Sequence, residues 1–346
     1  MQKSKIFIDF EAIDNKLIKF LKIKKNKVHF PYCYTIGSFV DKEFKTITRV
    51  LKLKHVNGFN VYQILKNSLT YDINKLLNTN IEINNDTVKF IGWNPALETY
   101  ITKILYDMPT YPQISLNNFA LDFVAKDAKF ENKYFPIYDE IELKNKYFKT
   151  ILKSKKSGFK ASFTGALLLS YYQKIDFEPT PLSQSIITKI TQQLKLYNKD
   201  DVLKMWYVEQ NLEQANELLT KIRNTENKIH HYEHELRDIQ TCAEYISNNY
   251  HDGNMSFEKF NTLLLERSEV IKSSIRTLKS EDPEGIELIK NQNEKRRIKK
   301  TLIIIESISE EIKNIDQLLK YLLNMVKIIK TNIKELQQTL KESREI

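Results

Sequence analysis

The sequence predicts an α/β domain followed by an all-α helical arm. Up to Pro181, short apolar segments rich in β-branched and aromatic residues alternate with helical segments, a pattern typical of α/β folds. Beyond it, strong breaks occur only around residues 248–254 and 281–285, so we expect long helices. Charge divides the chain in the same way: residues 1–207 have 32 Lys and Arg against 20 Asp and Glu, whereas residues 208–346 have 22 against 24. We therefore predict two domains with these bounds.

In the first domain, apolar alternation predicts strands over residues 5–11, 32–53 and 88–93. The second of these segments contains Asp41-Lys42-Glu43, which we interpret as a polar turn between two strands. After the third segment, Pro95 suits the first turn of a helix because its missing N–H is not needed there. We expect that helix to run from about Ala96 to Tyr106.

Three long helices are predicted beyond Pro181, over about residues 183–247, 256–279 and 285–345. The last one has an apolar repeat with alternating spacings of four and three residues, formed by Ile308, Ile312, Ile315, Leu319, Leu322, Val326, Ile329, Ile333, Leu336 and Leu340. Such a repeat is typical of a coiled-coil seam. Because tight turns separate the helices, we expect an antiparallel coiled-coil arm, with the seam closed within one chain or shared in a homodimer or with a protein partner.

The basic excess of residues 1–207 favours a polyanionic partner, since lysine and arginine side chains near phosphates release condensed counterions. A codon bias towards Lys, Asn and Ile is the alternative explanation. Such a bias would charge both domains alike, whereas the positive excess is confined to the first domain. We therefore expect nucleic acid as a partner of the first domain.

Cysteine content and hydropathy favour a cytoplasmic protein without membrane contact. Cys33 and Cys242 are the only cysteines, so the sequence has no disulfide framework. Asp9 interrupts the apolar start too early for a signal-peptide core. The longest apolar runs are far shorter than the roughly 20 residues that span a bilayer.

Several carboxylates fall in positions where they can share one site. Asp9 and Glu11 are two residues apart in a predicted strand, so their side chains lie on the same face and repel each other unless a cation lies between them. Tyr197 and Asp201 are four residues apart in a predicted helix and lie one turn from each other. The alternative is a packed tyrosine and solvated acids. Asp200 points about 100° away from Asp201 and is expected to be a surface charge.

These segments, in this order, resemble the motifs of the DEDD superfamily of 3′→5′ exonucleases. The matching residues are Asp9 and Glu11 in the first strand, Asn94 and Glu98 at a helix start, and Tyr197 and Asp201 in a later helix. The resemblance covers about residues 3–210. Leu196 occupies the position where the His subclass has histidine, which favours the Tyr subclass, called DEDDy.

The resemblance implies a ribonuclease H-like mixed sheet flanked by helices. It also implies a two-metal hydrolysis of phosphodiester bonds at single-stranded DNA or RNA ends with Mg²⁺ or Mn²⁺. It implies that Asp9, Glu11 and Asp201 hold the first ion and that Asp9 bridges to the second. Glu98 supports the second ion, directly or through water. Tyr197 orients the attacking hydroxide.

Glu98 departs from the family pattern, in which the second acid is usually aspartate. Its side chain is one methylene longer, although uncharacterised bacterial families that resemble this superfamily also have glutamate at this point. The alternative to an exonuclease is therefore a weak or inactive nuclease-fold module that binds nucleic acid or a protein, with the coiled-coil arm as its interaction element. A structural coiled-coil protein with an N-terminal cap is a third alternative, and the basic first domain disfavours it.

A basic segment inside the first domain is a candidate clamp for a single strand, with an aromatic ring available to stack on a base. An ordinary solvated loop is the alternative interpretation. With Asn94 of the second motif, the predicted nucleic-acid contacts are Asn94, Lys153, Lys155, Lys156, Phe159 and Lys160.

Overall fold

The structure is a computed structural model that describes residues 3–115, 119–128, 130, 134–141, 148, 150, 152, 157–177, 182–281, 285–308 and 312–345. The chain divides into two compact units, Met1–Glu217 and Leu218–Ile346. The first unit is of the α/β class, and the second is helical in its described part. The predicted α/β class and the predicted C-terminal helical region are confirmed.

A five-stranded mixed sheet forms the centre of the first unit. Its strands are Ser4–Ile13 (β1), Phe30–Val40 (β2), Glu43–Val50 (β3), Val88–Gly92 (β4) and Thr110–Pro112 (β5). They lie in the order β3-β2-β1-β4-β5, with β1, β2 and β3 antiparallel and β1, β4 and β5 parallel. The predicted turn between β2 and β3 is confirmed, and it contains Asp41 and Lys42 in the left-handed region. β1 therefore lies in the middle, with a neighbour on each side.

Helices accompany this sheet. The described ones are Asn15–Phe20 (α1), Val61–Leu77 (α2), Ala96–Tyr106 (α3), Leu121–Val124 (α4), Ser157–Gln173 (α5) and Gln184–Gln210 (α6). The predicted bounds of α3 are confirmed. α6 comes close to β2 at Gly37, where an added Cβ would lie 2.9 Å from Cγ1 of Val202. This approach brings polar side chains of α6 onto the sheet.

A buried charge network ties α2 to β2 and β3. Asp72 of α2 is fully buried and accepts a hydrogen bond from the Tyr34 hydroxyl at 2.8 Å. The Arg49 guanidinium donates to both carboxylate oxygens of Asp72 at 2.5 Å. Since both carboxylate oxygens of Asp72 accept hydrogen bonds, the buried carboxylate is compatible with a stable core.

The described C-terminal residues contain four helices: Leu212–Asn249 (α7), Phe257–Glu281 (α8), Ile286–Glu306 (α9) and Ile315–Glu345 (α10). Two predicted helices are each interrupted in the structure. The one predicted over 183–247 breaks at Asn211, whose backbone N–H caps α6. The one predicted over 285–345 ends at Glu306 and resumes at Ile315, so a single helix there was wrong.

The second interruption has a long-range cause. The segment before α10 pairs with the segment between α7 and α8, where Phe257 N–H donates to the Lys313 carbonyl at 3.0 Å and Ile315 N–H donates to the Met255 carbonyl at 3.2 Å. Asp316 N–H also donates to the Gly253 carbonyl at 3.1 Å. Both connections therefore lie at one end of the helical unit.

The predicted seam faces the core of its own unit. Ile315, Leu322, Ile329 and Ile333 are buried, and the remaining seam residues are partly buried against the same apolar cluster. Helices of one chain therefore contact the seam along its length, including Ile308, which lies beyond the end of α9.

Length alone would allow several of these helices to cross a bilayer, since α7 has 38 residues and α10 has 31. Charged residues recur along both of them. No helix in the described part of the chain combines the length and the apolar character that a membrane span requires.

Replacing Asp72 with alanine should destabilise the full chain by about 3 kcal/mol, because the Arg49 guanidinium and the Tyr34 hydroxyl lose their shared acceptor. Urea unfolding followed by circular dichroism measures the change. Asp86→Ala is the matched control, since Asp86 is exposed, and it should shift the free energy of unfolding by less than about 0.5 kcal/mol. Equal effects of the two substitutions would contradict the structural role of the network.

Candidate metal centre

β1 places Asp9 and Glu11 on one face of the sheet, opposite Thr35 and Cys33 of β2. The intervening Phe10 is buried on the other face, as strand alternation requires. The register of β1 shifts directly after Glu11. Such irregularities re-aim side chains at the end of a ladder, so the two carboxylates lie where regular pairing stops.

α6 brings the third carboxylate to this face. One ligand oxygen each from Asp9, Glu11 and Asp201 lies within 4.8 Å of the other two. All three side chains are partly buried. This group of three is the candidate metal centre.

Asn198 fastens α6 to the strands beside these acids. It is fully buried, and its side-chain amide donates to Asp9 Oδ2, while the Thr35 hydroxyl donates to Asn198 Oδ1 at 2.7 Å. Burial raises the pKa of Glu11, and a hydrogen bond from Asn198 opposes part of this rise. Sequence reasoning did not assign a role to Asn198, although its spacing of three residues from Asp201 was a usable signal.

Glu98 approaches the same acids from the first turn of α3. Its side chain is buried, and Oε1 accepts a hydrogen bond from the backbone N–H of Phe10 at 3.4 Å, directly next to Asp9. Burial raises the pKa of Glu98 to about 7, and the backbone hydrogen bonds partly oppose this shift. A carboxylate in the first helical turn also benefits from the positive end of the helix dipole.

Burial and mutual repulsion dominate the electrostatics of the cluster. Burial raises the pKa values of Asp9 and Glu11 well above their usual range, and the nearby charge of Asp201 raises them further. Burial also raises the pKa of Asp201 to about 6, against the opposing effect of Lys204. Carboxylates that resist ionisation in this way are sites where a bound cation would lower the free energy most.

Lys204 supplies positive charge at the edge of the cluster. Its side chain is only 3% exposed, and its Nζ lies 3.0 Å from Asp201 Oδ1 and 2.5 Å from Asp122 Oδ1. The ammonium also lies 5.0 Å from the ring centroid of Tyr134. Lys204 and Asp122 were not predicted as a pair, because the contact joins two distant segments of the chain.

Tyr197 lies one helical turn before Asp201 and is half-buried. Burial raises its pKa, followed by the charges of Asp201 and Glu11, so the phenol stays protonated. Its ring contacts those of Tyr134 and Phe135 at centroid distances of 5.0 Å and 5.5 Å. These contacts hold a hydroxyl donor beside the acids.

A cavity of about 330 Å³ opens onto this cluster. Its lining residues include Asp9, Asn94, Glu98, Asp122, Tyr197 and Asp201. Asn94 is exposed, and its side-chain amide donates to the Phe119 carbonyl at 3.3 Å. The cavity is therefore lined by residues from all three predicted motifs, and Glu11 joins the cluster through its closeness to Asp9 and Asp201.

The predicted basic clamp is not supported where the structure describes it. Lys153, Lys155 and Lys156 lie outside the described residues. Phe159 and Lys160 belong to α5, so the interpretation of this stretch as a loop was wrong for both. Phe159 is half-buried and stacks on Phe163 at 6.4 Å between centroids, because the apolar side of α5 packs into the core.

Asp200 also differs from its prediction as a surface charge. It is only 6% exposed, and the Tyr134 hydroxyl donates to its Oδ2 at 3.0 Å. The helix turns Asp200 away from the acids as expected, but a distant segment covers it. The spacing of neighbouring residues does not predict this contact between Tyr134 and Asp200.

The donor set fits a hard divalent cation. The three ligand side chains and Glu98 offer only carboxylate oxygens, which is the chemistry that Mg²⁺ and Mn²⁺ prefer. Lys204 supplies one positive charge, and this charge lies nearest to Asp201. A single positive charge does not balance four carboxylates. The residues present therefore suit one or two such ions.

Comparisons with known proteins did not identify a relative of this chain. The chain matches no protein-family model, and neither curated proteins nor solved structures gave a significant match. The site must therefore be interpreted from its own geometry.

The metal-free protein should lose stability as pH rises. Because the pKa values of Glu98 and Asp201 are raised to about 7 and about 6, the folded state keeps protons that the unfolded state releases above about pH 4. The melting temperature in EDTA should therefore be lower at about pH 8 than at about pH 5.5. Asp9→Asn removes one of the repelling charges and should reduce this difference.

At the higher pH, Mn²⁺ in about hundredfold excess over its Kd should raise the wild-type melting temperature by about 5 to 10 °C. Asp86→Asn, at an exposed position, is the control and should behave like wild type. If Asp9→Asn shows the same pH dependence and the same response to Mn²⁺ as wild type, the acids do not form a metal centre.

Proposed function

We propose that this protein is a metal-dependent 3′→5′ exonuclease that hydrolyses phosphodiester bonds at single-stranded nucleic-acid ends. The observation that carries the proposal is the meeting of Asp9, Glu11 and Asp201 within 4.8 Å, with Glu98 and Tyr197 lining the same cavity. Acids so close and so buried repel each other, and divalent cations are the ligands that relieve this.

The fold supports the proposal at a coarser level. A mixed sheet with the first acids on its central strand and the last on a helix packed across it is compatible with the ribonuclease H-like fold of the DEDDy class. The motif order along the chain also agrees with that class. We therefore propose this fold family for residues 1–207 and a coiled-coil arm for residues 208–346.

Asp9, Glu11 and Asp201 would hold one Mg²⁺ or Mn²⁺, and Asp9 and Glu98 would hold a second. When bound, such ions supply positive charge for the scissile phosphate and for the leaving oxygen, and they acidify water. The chain's own groups keep the acids in place: Asn198 donates to Asp9, and the Phe10 N–H donates to Glu98. Fixed ligands of this kind cost little reorganisation during the reaction.

In this proposal, Tyr197 orients the attacking water. Its phenol stays protonated because burial and the neighbouring acids oppose ionisation, so it can donate or accept a hydrogen bond without changing charge. Its position one turn from Asp201 keeps the hydroxyl beside the metal ligands. Lys204 offsets part of the negative charge of Asp201 through their 3.0 Å contact.

The alternative is an inactive module that binds nucleic acid or a protein partner through the arm. Glu98 is the observation that favours it, because the usual second acid of the DEDD class is aspartate. The hydrogen bond from Phe10 N–H holds Glu98 next to Asp9 and opposes this alternative.

Purified full-length protein should shorten a 5′-labelled single-stranded oligonucleotide from its 3′ end in Mn²⁺ or Mg²⁺ and should stop in EDTA. Asp9→Asn and Asp201→Asn should abolish the ladder because each removes a metal ligand, whereas Asp86→Asn should leave it unchanged. DNA and RNA substrates are run side by side. Degradation by Asp9→Asn at the wild-type rate would assign the activity to a contaminant, and wild-type inactivity on both substrates would favour the inactive module.

Glu98→Gln should lower kcat by about 10- to 100-fold, because the amide can still accept the Phe10 hydrogen bond but no longer supplies charge to the second ion. Glu98→Asp should also be impaired, since its shorter side chain cannot reach the same N–H from the same backbone position. Single-turnover rates at saturating metal measure both variants. Wild-type rates in both would remove Glu98 from the site.

A further inference from the structure

A second concave feature of the first unit carries positive charge. It is a groove of about 380 Å³ between the chain that follows β3, the end of α5 and the middle of α6. Its polar and aromatic lining includes Lys52, Lys54, His55, Tyr172 and Lys195, and Leu168 contributes to its apolar floor. Sequence reasoning assigned none of these residues to a site.

The charge of this groove is unbalanced. Lys52, Lys54 and Lys195 are exposed, and the described residues that line the groove include no carboxylate. Within the described part of the chain, none of these three lysines forms an ion pair. Lys204, by contrast, is buried against two carboxylates. Free ammonium groups around a concavity are suited to binding several negative charges of one ligand.

The groove lies beside the candidate metal centre. Val50 lines it, and the sheet register pairs Val50 with Cys33 and Cys33 with Glu11. Two inter-strand spacings therefore separate Val50 from Glu11, which is about 10 Å. Lys195 precedes Asp201 by six residues on α6, a rise of about 9 Å. The groove and the acids therefore lie on neighbouring parts of the same strands and helix, about 10 Å apart.

An aromatic ring accompanies the lysines. Tyr172 lies in the last turn of α5, lines the groove and is 39% exposed. Tyr171 contacts its ring edge-on at 5.3 Å between centroids, which steadies the orientation of the ring. Basic groups that follow a backbone, with a ring on which a base can stack, are the two elements of sequence-tolerant single-strand binding.

We propose that this groove binds the single strand behind the end that enters the metal centre. Lys52, Lys54 and Lys195 contact its phosphates, and Tyr172 stacks on a base. The inference rests on the proposed function for the direction of the strand, but the groove's affinity for nucleic acid does not depend on hydrolysis. The carboxylates of an acidic protein could pair with the lysines, but such a protein has no nucleobase to stack on the Tyr172 ring. We therefore propose a nucleic acid as the ligand.

Binding can be measured apart from cleavage. A fluorescein-labelled strand of about 20 nucleotides, as DNA and as RNA, is titrated in EDTA with full-length Asp9→Asn protein, and anisotropy is followed at several salt concentrations. Adding Lys52→Gln, Lys54→Gln and Lys195→Gln should weaken binding and reduce the slope of log K against log salt by about 2. Circular dichroism melts verify that the variant is folded.

Lys42, Lys75 and Lys103 provide the matched control, because all three are exposed and lie on the β2–β3 turn, α2 and α3. Their triple glutamine variant changes the net charge equally and should keep most of the slope. If both triple variants weaken binding alike, the groove is not the binding site and the effect reflects overall charge.

Tyr172→Leu should weaken binding about fivefold or more, and Tyr172→Phe should keep the wild-type affinity because stacking needs only the ring. Tyr71→Leu, at a 61% exposed tyrosine of α2, is the control and should have no effect. Equal affinity of the Leu and Phe variants at position 172 would overturn the stacking role.

The results separate this inference from the proposed function. Loss of binding in the groove variant together with an inactive wild type would support the groove and contradict the exonuclease. Cleavage by the wild type together with unchanged binding by the groove variant would support the exonuclease and contradict the groove. Strong binding of an acidic polypeptide such as polyglutamate, without binding of either oligonucleotide, would also overturn the inference.

Discussion

The repulsion among four carboxylates is the constraint on which the site depends. Asp9, Glu11, Glu98 and Asp201 come from one strand and two helices, and burial raises the pKa of each. Such a cluster stays together only if the surrounding structure opposes its separation. Here the opposing elements are the position of β1 inside the sheet, where Ile6 and Ile8 are buried, and the hydrogen bonds that join Asn198 of α6 to β1 and β2.

α6 combines the functions of support and chemistry. Its side facing the sheet contributes Asn198 and the tight contact of Val202 with Gly37, which fix the height of the helix above β2. The same turns present Asp201 to the acids of β1, and Lys195 lies earlier on the helix at the groove. A small rotation of this helix would therefore change the candidate metal centre and the groove together, and the hydrogen bonds of Asn198 with Asp9 and Thr35 oppose such a rotation.

Local patterns predicted what depends on neighbouring residues. Strand alternation gave the shared face of Asp9 and Glu11, and helical spacing gave that of Tyr197 and Asp201. Contacts between distant segments escaped prediction: Lys204 with Asp122, and Tyr134 with Asp200. The apolar repeat likewise continues through the break before α10, because Ile308 and Ile312 pack against the core without being helical, while backbone pairing with a distant loop ends the helix.

Glu98 is the residue at which the family resemblance and the structure must be reconciled. An aspartate at this place would end about 1.5 Å sooner and would lose the Phe10 N–H, which lies 3.4 Å from Glu98 Oε1. The longer side chain thus spans the separation between the first turn of α3 and the backbone of β1. Asp9 and Phe10 are neighbours on β1, and the Phe10 N–H holds the Glu98 carboxylate. The distance between the Glu98 and Asp9 carboxylates therefore depends on the backbone of β1 and not only on the Glu98 side chain. Glutamate is therefore the residue that this backbone geometry requires if a fourth acid is to reach the cluster.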